Sequence, residues 1–504
     1  LTNSSRAACQ PTLPISWCWA TGKELFKWSS GDFLPKKKMR LGQVPVYGGN
    51  GINGYHDTSI ADFETFVIGR VGAHCGNIHI VIPPAWITDN AIYATYVPSL
   101  IHLRFVVLAL SNLNLNIESQ GGAQPFINQK ALNSISLPIA PLDEQKRIVS
   151  KIEELFSYLD AGVATLKRVK ENLKRYRVSI LKAAVEGKLT EKWRSENPVK
   201  EPAPKLLERI LTERRKKWEE NYLAECKAKN RKPPKDWKKK YKEPAQPDTS
   251  NLPELPDGWC WATAEQLSYE SMNGFGKRRQ EKGKPVIVLR LADILDGKVS
   301  YNDTRKINAL DSEISKFRLT PNDILVLRVN GSADLVGRMV TFENEDTEPV
   351  LYCDHFIRLK FRFPEIANWL RLYADSKTVR DYIYHKKISS AGQNTVSQTT
   401  ISSLAVPLPP IDEISAIVET YDQQFYSTKA YSAILQKSTL KASSLRQSIL
   451  KRAFEGKLVP QEPDDEPASI LLERIKAERE AAKPKKKPTK KKPRKPRKKR
   501  EKAK

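Results

Sequence analysis

The sequence predicts a mixed α+β fold in which two variable α/β segments alternate with two long helices. Three observations lead there. A short phrase recurs almost unchanged, SILKAAVEGKL at 179–189 and SILKRAFEGKL at 448–458, with nine of eleven positions identical. The text ahead of each copy carries apolar residues at alternating steps of four and three, which is the seam of a coiled coil. The text ahead of that has short β-type runs broken by Gly and Asn.

The repeat sets the frame. The phrases lie 269 residues apart (179 to 448), and the same offset holds upstream: Pro138 matches Pro407, Pro141 matches Pro410, Asp143-Glu144 matches Asp412-Glu413, and Ile148-Val149 matches Ile417-Val418. Gly122 to Leu189 therefore aligns with Ala391 to Leu458 without a gap. LLERI recurs at 206–210 and 471–475, and WCWAT at 17–21 and 259–263, an offset of 242 (17 to 259). The chain is a tandem duplication of a variable part followed by a constant part.

The constant part reads as helix. Pro141 and then Asp143-Glu144 make a favourable start, with carboxylates facing the helix dipole. The seam runs through Ile148, Ile152, Leu155 and Leu159, then Leu166, Val169, Leu173, Tyr176 and Ile180, broken at Gly162. Gly187 is a natural stop. From 142 to 181 such a helix spans about 60 Å. In the second copy Ile417, Tyr421, Leu435, Leu445 and Ile449 fit the seam, while Gln424, Thr428 and Ser438 fall where apolar residues are expected. Two helices with one apolar seam each most simply bury those seams together.

The variable segments read as mixed α/β. QVPVYGGNGINGYHD is strand, turn, strand; FETFVIGRVGAHCGNIHIVI is a hairpin; IHLRFVVLAL is a short buried helix or strand. The two halves are distantly alike: Val67-Ile68-Gly69-Arg70-Val71 resembles Val326-Leu327-Arg328-Val329, and Thr88-Asp89-Asn90 resembles Cys353-Asp354-His355. The expected divisions are 1–140, first variable domain; 141–190, first helical region; 191–257, a short basic helix and Pro/Lys-rich linker; 258–409, second variable domain; 410–482, second helical region; and 483–504, a basic tail.

Composition points to a polyanion partner. The 504 residues, 40% hydrophobic, hold 85 Lys+Arg against 58 Asp+Glu, a net +27. Residues 483–504 supply fifteen basic side chains and one Glu, so +14 lies in the tail and +13 in the rest. A Lys/Pro run of that kind cannot build a core; it reads equally as a solvated tail or as extra grip on phosphates. The six cysteines are scattered without a CxxC, which fits free thiols in a reducing interior. There is no run of eighteen apolar residues and no basic-then-apolar leader, so the expectation is a soluble cytoplasmic protein. The chain opens on Leu1, as a fragment or processed product does.

Several motifs are absent. Without GxxxxGK[ST] the chain is not expected to be an ATPase by itself. No NPPY-like tetrapeptide beside a Gly-rich strand–helix turn marks a self-sufficient adenine methyltransferase, and no Asp…Glu-x-Lys cluster marks a nuclease. GGNGING (48–54) is followed by no dinucleotide-type helix and reads as loop. His74 and His79 lack a carboxylate or thiol cluster, so no metal is expected.

The chain resembles the DNA-specificity subunits of type I restriction–modification systems. The residues that carry the resemblance are LPIAPLDEQKRIVSKIEELF (137–156), SILKAAVEGKLT (179–190), their copies around 407–425 and 448–459, the WxWxT openings, and YGGNGINGYHD (47–57) with IGRVGAHCGN (68–77). The resemblance implies two target recognition domains separated by two long antiparallel coiled-coil helices with pseudo-twofold symmetry. It implies a chain without catalysis of its own that reads a bipartite site in double-stranded DNA. Its implied partners are two copies of a DNA methyltransferase (modification) subunit and restriction/translocase subunits, which would hold S-adenosylmethionine, ATP and Mg2+. It implies no membrane. The helical rod would act as a ruler that fixes the unspecified spacer, at about 1.5 Å per helical residue against about 3.4 Å per base pair.

Candidate base and phosphate readers follow from loops rich in Gly, Asn and basic residues. In the first domain they are Lys36, Lys37, Lys38, Arg40, Asn50, Asn53, Tyr55, His56, Arg70, His74 and Asn77. In the second they are Lys277, Arg278, Arg279, Arg290, Arg328, Asn330, Ser332, Arg338, Lys386 and Lys387. The alternatives are a stand-alone DNA-binding regulator, a complete restriction enzyme in one chain, and a basic RNA-binding or scaffold protein. None of these needs the EGKL-ended helix twice.

Overall fold

The computed structural model describes residues 12–113, 115, 126–344 and 348–481; the basic tail 483–504 lies outside them. The chain forms two compact units, one built from 1–167 with 436–504, the other from 168–435. Two helices of 44 residues, Leu142–Val185 and Ile411–Phe454, contribute to both. Each gives its N-terminal part to one unit and its C-terminal part to the other, so within either unit the paired segments run antiparallel. At 1.5 Å per residue each helix is about 66 Å long, slightly beyond the expected end at 181.

The variable domain of the first unit opens with Cys18–Thr21, which pairs antiparallel with Ser136–Ile139 and so brings the domain's two ends together. A four-stranded antiparallel sheet follows, in the order Lys27–Ser30, Ala91–Thr95, Thr65–Gly69, Ile78–Val81. A second sheet sets Val44–Gly48 between Gly51–His56 and, in parallel, Trp86–Ile87. IHLRFVVLAL becomes the helix Leu103–Asn112, whose Phe105, Val106 and Leu110 are buried.

The second unit repeats this topology. Cys260–Thr263 pairs with Ala405–Leu408. The four-stranded sheet runs Glu270–Asn273, Phe356–Lys360, Ile324–Leu327, Met339–Thr341. Lys284–Leu289 lies between Lys306–Ala309 and, again in parallel, Val350–Tyr352. Gly31 and Gly274 occupy matching bends: a Cβ on either would lie 2.1–2.3 Å from a carbonyl oxygen, of Ile87 or of Cys353.

The repeated phrases now acquire partners. In the first unit Glu144, buried in the first turn of its helix, accepts the Trp17 indole N–H at 2.9 Å and the Gln461 amide at 2.5 Å. In the second unit Glu413 accepts the Trp259 indole N–H at 2.9 Å, the Thr190 hydroxyl at 2.7 Å and the Arg194 guanidinium at 2.8 Å. WCWAT and the Asp-Glu pair recur together because one donates to the other. Thr190, Arg194 and Gln461 lie beyond the helix exits, so each EGKL phrase closes the domain of the opposite half. Ala203 donates to the Gly258 carbonyl at 2.8 Å, and Ala468 donates to the Ser16 carbonyl at 2.8 Å. Behind them Leu206 and Ile210, and Leu471 and Ile475, enter the two cores.

Burial pushes the Glu144 carboxyl above its usual range, outweighing its two hydrogen bonds. A group bound more tightly to its proton in the folded state contributes stability below its unfolded pKa of about 4.3 and loses it as pH rises through the folded value. Thermal midpoints of the first unit between pH 4 and 7 are expected to fall less with rising pH in Glu144→Gln than in the parent.

The seam corrects the sequence pattern in places. Ile148, Ile152, Ile180, Ile417 and Ile449 are buried, and Leu155, Leu159, Leu166, Leu173, Tyr421 and Leu435 are half-buried. Ile148, Ile152 and Ile449 share one core with the first domain, and Ile417 joins the second, with Leu155, Leu159 and Tyr421 packed at the edges. Leu445 and Val169 are exposed, and Tyr176, also exposed, reaches the facing helix only through its hydroxyl, which donates to Gln424 at 3.5 Å. At the level of Leu445, Arg446 takes the seam: its guanidinium pairs with Asp160 and sits 4.5 Å from the Phe156 ring. Thr428, polar where an apolar residue is expected, is buried and accepts the Arg177 Nε–H at 2.8 Å.

The segment 191–257 is more structured than a linker. It holds the helices Glu191–Glu196 and Ala203–Ala228, the latter 26 residues long. A short 3-10 turn, Trp237–Lys240, follows. Among the described residues no helix is long and apolar enough to cross a membrane.

Candidate nucleic-acid interface

The backbone puts Arg70 and Arg328 at one equivalent position of the two domains. Each stands just past a central strand, Thr65–Gly69 or Ile324–Leu327. Arg70 N–H donates to the Asn90 carbonyl at 2.9 Å, and its own carbonyl accepts from Ile127 at 2.9 Å. Arg328 N–H donates to the His355 carbonyl at 2.8 Å, and its carbonyl accepts from Val396 at 3.0 Å. The distant likeness of Thr88-Asp89-Asn90 to Cys353-Asp354-His355 is this shared turn.

Around Arg70 the structure gathers part of the predicted set. Asn50 is exposed in the turn between Val44–Gly48 and Gly51–His56. Gly49 packs on Gly69, where a Cβ would lie 2.1 Å from the His74 carbonyl and 2.8 Å from that of Gly49. Glycine here lets two loops touch, which sets Asn50, Arg70 and exposed His74 on adjoining loops. Asn77 is half-buried, and its carbonyl accepts the Gly69 N–H at 2.8 Å. His79 faces Gly51; burial first, then the His74 charge, lowers its pKa. The Arg70 guanidinium has no ion pair among the described residues.

Other first-domain candidates lie apart or are occupied. Lys36, Lys37 and Lys38 form an exposed 3-10 turn. Asn53 lies against Gly48, and Tyr55 is 56% exposed. Arg40 reaches Asp57 at 3.4 Å. His56 is corrected from reader to packing residue. It is 5% exposed, its Nδ1 accepts the Arg40 N–H at 3.0 Å, and its ring meets Trp86 edge-on at 5.2 Å.

In the second domain Arg328 is half-buried and reaches the Asp354 carbonyl at 3.3 Å through Nη1, while its Nε is buried without a partner. Arg278 pairs with the Asp354 carboxylate at 2.9 Å, which brings it to the same turn. Asn330 accepts the Ser332 N–H at 2.9 Å. Arg279 is exposed, as is Lys386; half-buried Lys387 lies 4.6 Å from the Tyr384 ring. Three candidates are engaged elsewhere. Lys277 holds Glu313 at 2.6 Å, and that contact is the largest cause holding the Glu313 carboxyl down at about 2. Arg290 is bound to buried Asp293 at 2.9 Å. Arg338 is paired with Asp375.

Sequence reasoning missed the hairpin Ile388–Ser390 with Gln393–Thr395, whose second strand pairs with Val329–Asn330 beside Arg328. It turns on Ala391 and Gly392 at φ 47° and 77°, a two-residue turn with both central residues at positive φ. Ser389 and Gln393 are exposed on it, and Asn394 donates to the Gly331 carbonyl at 3.0 Å. The signal was the gapless repeat, which begins at Gly122 and Ala391. Of the first-domain counterpart, 119–126, only Phe126 is among the described residues, and it bridges Val71 antiparallel as Thr395 pairs with Val329. Cys353, Asp354 and His355 offer ligand-type atoms within 4.8 Å of one another, but Asp354 is paired with Arg278 and burial pushes the Cys353 thiol up.

A family model, Type I restriction modification DNA specificity domain, matches residues 15–175. The type I restriction enzyme StySPI specificity subunit of Salmonella potsdam is 30% identical over 425 residues, 82% of this chain and 76% of that protein. The EcoKI specificity subunit of Escherichia coli K12 is 27% identical over 424 residues, with the same shares of 82% and 76%. Among solved structures, a chain from a study of type I R-M complex assembly superposes with a TM-score of 0.58 at 15% identity, covering 89% of this chain and all of that one. The HsdS subunit from Thermoanaerobacter tengcongensis superposes with a TM-score of 0.52 at 15% identity, covering 88% and 98%. These two superpositions speak for the fold alone.

Proposed function

The chain belongs to the specificity subunits of type I restriction enzymes, and from that membership we propose that its two variable domains each read one half of a bipartite DNA site. It is the DNA-recognition component and carries no catalysis. The observation that carries the two-part reading is the matched placement of Arg70 and Arg328 on related frames with unrelated neighbours. Arginine suits both the guanine edge and the phosphate. Arg70 has Asn50 and His74 on adjoining loops, whereas Arg328 has Arg278, which is paired with Asp354 on the shared turn. Two similar scaffolds with different surroundings fit two different half-sites.

Assembly with methyltransferase and restriction subunits follows from the same membership. We place two modification subunits on the long helices, and S-adenosylmethionine, ATP and Mg2+ in the partners, in the cytoplasm. Support for docking on the helices is their outer apolar surface: Tyr158 is 70% exposed, Tyr431 and Ile434 59%, Leu440 67%. Tyr431 and Ile434, three residues apart, share one helix face, and an exposed apolar cluster of that kind marks an interaction site. Co-expression with a methyltransferase subunit tests this. The parent chain is expected to co-purify with it and to direct adenine methylation to one bipartite sequence, mapped by sequencing. Tyr431→Glu with Ile434→Asp is expected to weaken co-purification by tenfold or more, on the order of removing a hot spot. A parent chain that binds DNA site-specifically yet captures no methyltransferase would make it a stand-alone regulator.

A further inference from the structure

We propose that residues 211–243 form an arm that holds DNA phosphates without regard to sequence, outside the two recognition domains. The inference rests on the DNA-reading function above and adds a surface to it. The helix Ala203–Ala228 buries Leu206 and Ile210 and then leaves the core. Its outer part is held by aromatic rings from the returning chain. Trp218 stacks on Tyr222 at 5.3 Å, Tyr222 on Trp237 at 5.2 Å and 7°, and Trp218 on Trp237 at 5.9 Å and 19°. Lys240 lies 5.6 Å from the Tyr222 ring and Lys238 lies 5.8 Å from that of Trp237. The base is fixed by Arg214, which donates to the Ser268 carbonyl and to the Tyr241 hydroxyl at 3.0 Å each. The rings are thus used in holding the hairpin together, and what it presents outward is charge.

That charge is in excess. Residues 211–243 contain thirteen Lys/Arg and six Asp/Glu, a net +7. Arg215, Lys217, Lys229 and Lys238 have carboxylate partners. Lys227, Arg231, Lys232, Lys235, Lys239 and Lys242 are exposed, with no ion pair among the described residues. Protein–protein interfaces are depleted in lysine and anchored by free aromatic side chains; this surface has the opposite make-up, which phosphate oxygens fit.

A second observation is independent of the first. The other LLERI helix, Ala468–Ala481, docks on its own unit in the same way, with Leu471 and Ile475 buried. The sequence after it, 483–504, is again basic at +14, although its text is unrelated to 211–243. Both halves of the chain follow the same docked helix with a polycation. A charge kept where the text is not kept points to a polyanion common to both halves, and duplex DNA is the polyanion that the function supplies.

The test uses the full chain assembled with its modification subunits. Lys232→Gln, Lys235→Gln, Lys239→Gln and Lys242→Gln are combined, leaving the aromatic stack intact. Binding to a duplex with the mapped site and to a scrambled duplex is measured from 50 to 200 mM salt. Affinity for both duplexes is expected to fall by a similar factor, roughly tenfold. The slope of log K against log salt is expected to shrink by about 0.9 for each phosphate that is no longer neutralised, and the ratio between the duplexes to stay constant. An unchanged slope with intact site binding overturns the proposal. So does dissociation of the modification subunits with an unchanged slope, which would make the arm a protein-docking surface. A parent complex without preference between the duplexes would refute the site-reading function, while the slope would still decide the arm.

Discussion

Glu413→Ala is expected to destabilise the second unit by about 3–5 kcal/mol, the range for removing one partner of a buried charge pair. Glu413 is 1% exposed. One of its oxygens takes the Thr190 hydroxyl at 2.7 Å and Arg194 Nε and Nη2 at 3.0 and 2.8 Å; the other takes the Trp259 indole at 2.9 Å. Truncation strands a hydroxyl, an indole N–H and a guanidinium whose side chain is only 18% exposed. Glu144→Ala in the first unit removes an otherwise matching carboxylate whose partners are neutral, Trp17 and Gln461. There the cost is that of unsatisfied neutral donors, about 1–3 kcal/mol. Two units of this size are expected to unfold in separate steps. Urea titration followed by fluorescence and circular dichroism should therefore show the later or earlier transition move selectively. Equal destabilisation by the two substitutions would mean that the Arg194 charge has no part in holding the second unit.

These contacts escape the sequence for a physical reason. The repeats establish that WCWAT, Asp-Glu, EGKL and LLERI each occur twice, but identical text cannot say which copy packs on which. Continuity along the chain suggests that 179–210 closes the first domain. The helices instead carry each exit to the opposite half, so Thr190 and Arg194 serve Glu413 beside Trp259, and Gln461 serves Glu144. The seam was legible where apolar residues are consecutive, at Ile148, Ile152, Ile417 and Ile449. It misled at Leu445 because the neighbouring Arg446 takes the contact there, through Asp160 and the Phe156 ring. His56 looked like a reader because it follows a Gly/Asn turn; its burial depends on Trp86, thirty residues away, which local pattern does not reveal. The matched placement of Arg70 and Arg328 was legible because the apolar strand ahead of each is followed directly by arginine in both otherwise divergent domains.

Arg70→Ala and Arg328→Ala are each expected to relax recognition at one half-site and leave the other intact. Both backbones are fixed on two sides, by Asn90 and Ile127 or by His355 and Val396, so each guanidinium starts from a set position. A bidentate arginine contact to guanine contributes about 1–3 kcal/mol of discrimination, roughly a 5- to 150-fold preference for the right base. Methylation of a library with every half-site substitution should show that preference vanish at one or two positions of one half. The two positions belong to separate units, so the double variant should lose both preferences additively. Lysine at either position separates two roles. If the arginine holds a phosphate, Arg→Lys keeps the point charge and restores most of the affinity. If it reads a base through two parallel N–H donors, lysine cannot supply their fixed geometry, and specificity should stay relaxed while the salt dependence returns. Arg328 should suffer more than Arg70 from lysine. Its Nε is buried and its Nη1 already leans on the Asp354 carbonyl, so a shorter set of donors there must choose between the turn and the DNA. Unaltered preference at both half-sites in both alanine variants would remove the arginine pair from recognition and shift the reading role to the surrounding loops, beginning with Asn50 and the Ile388–Thr395 hairpin.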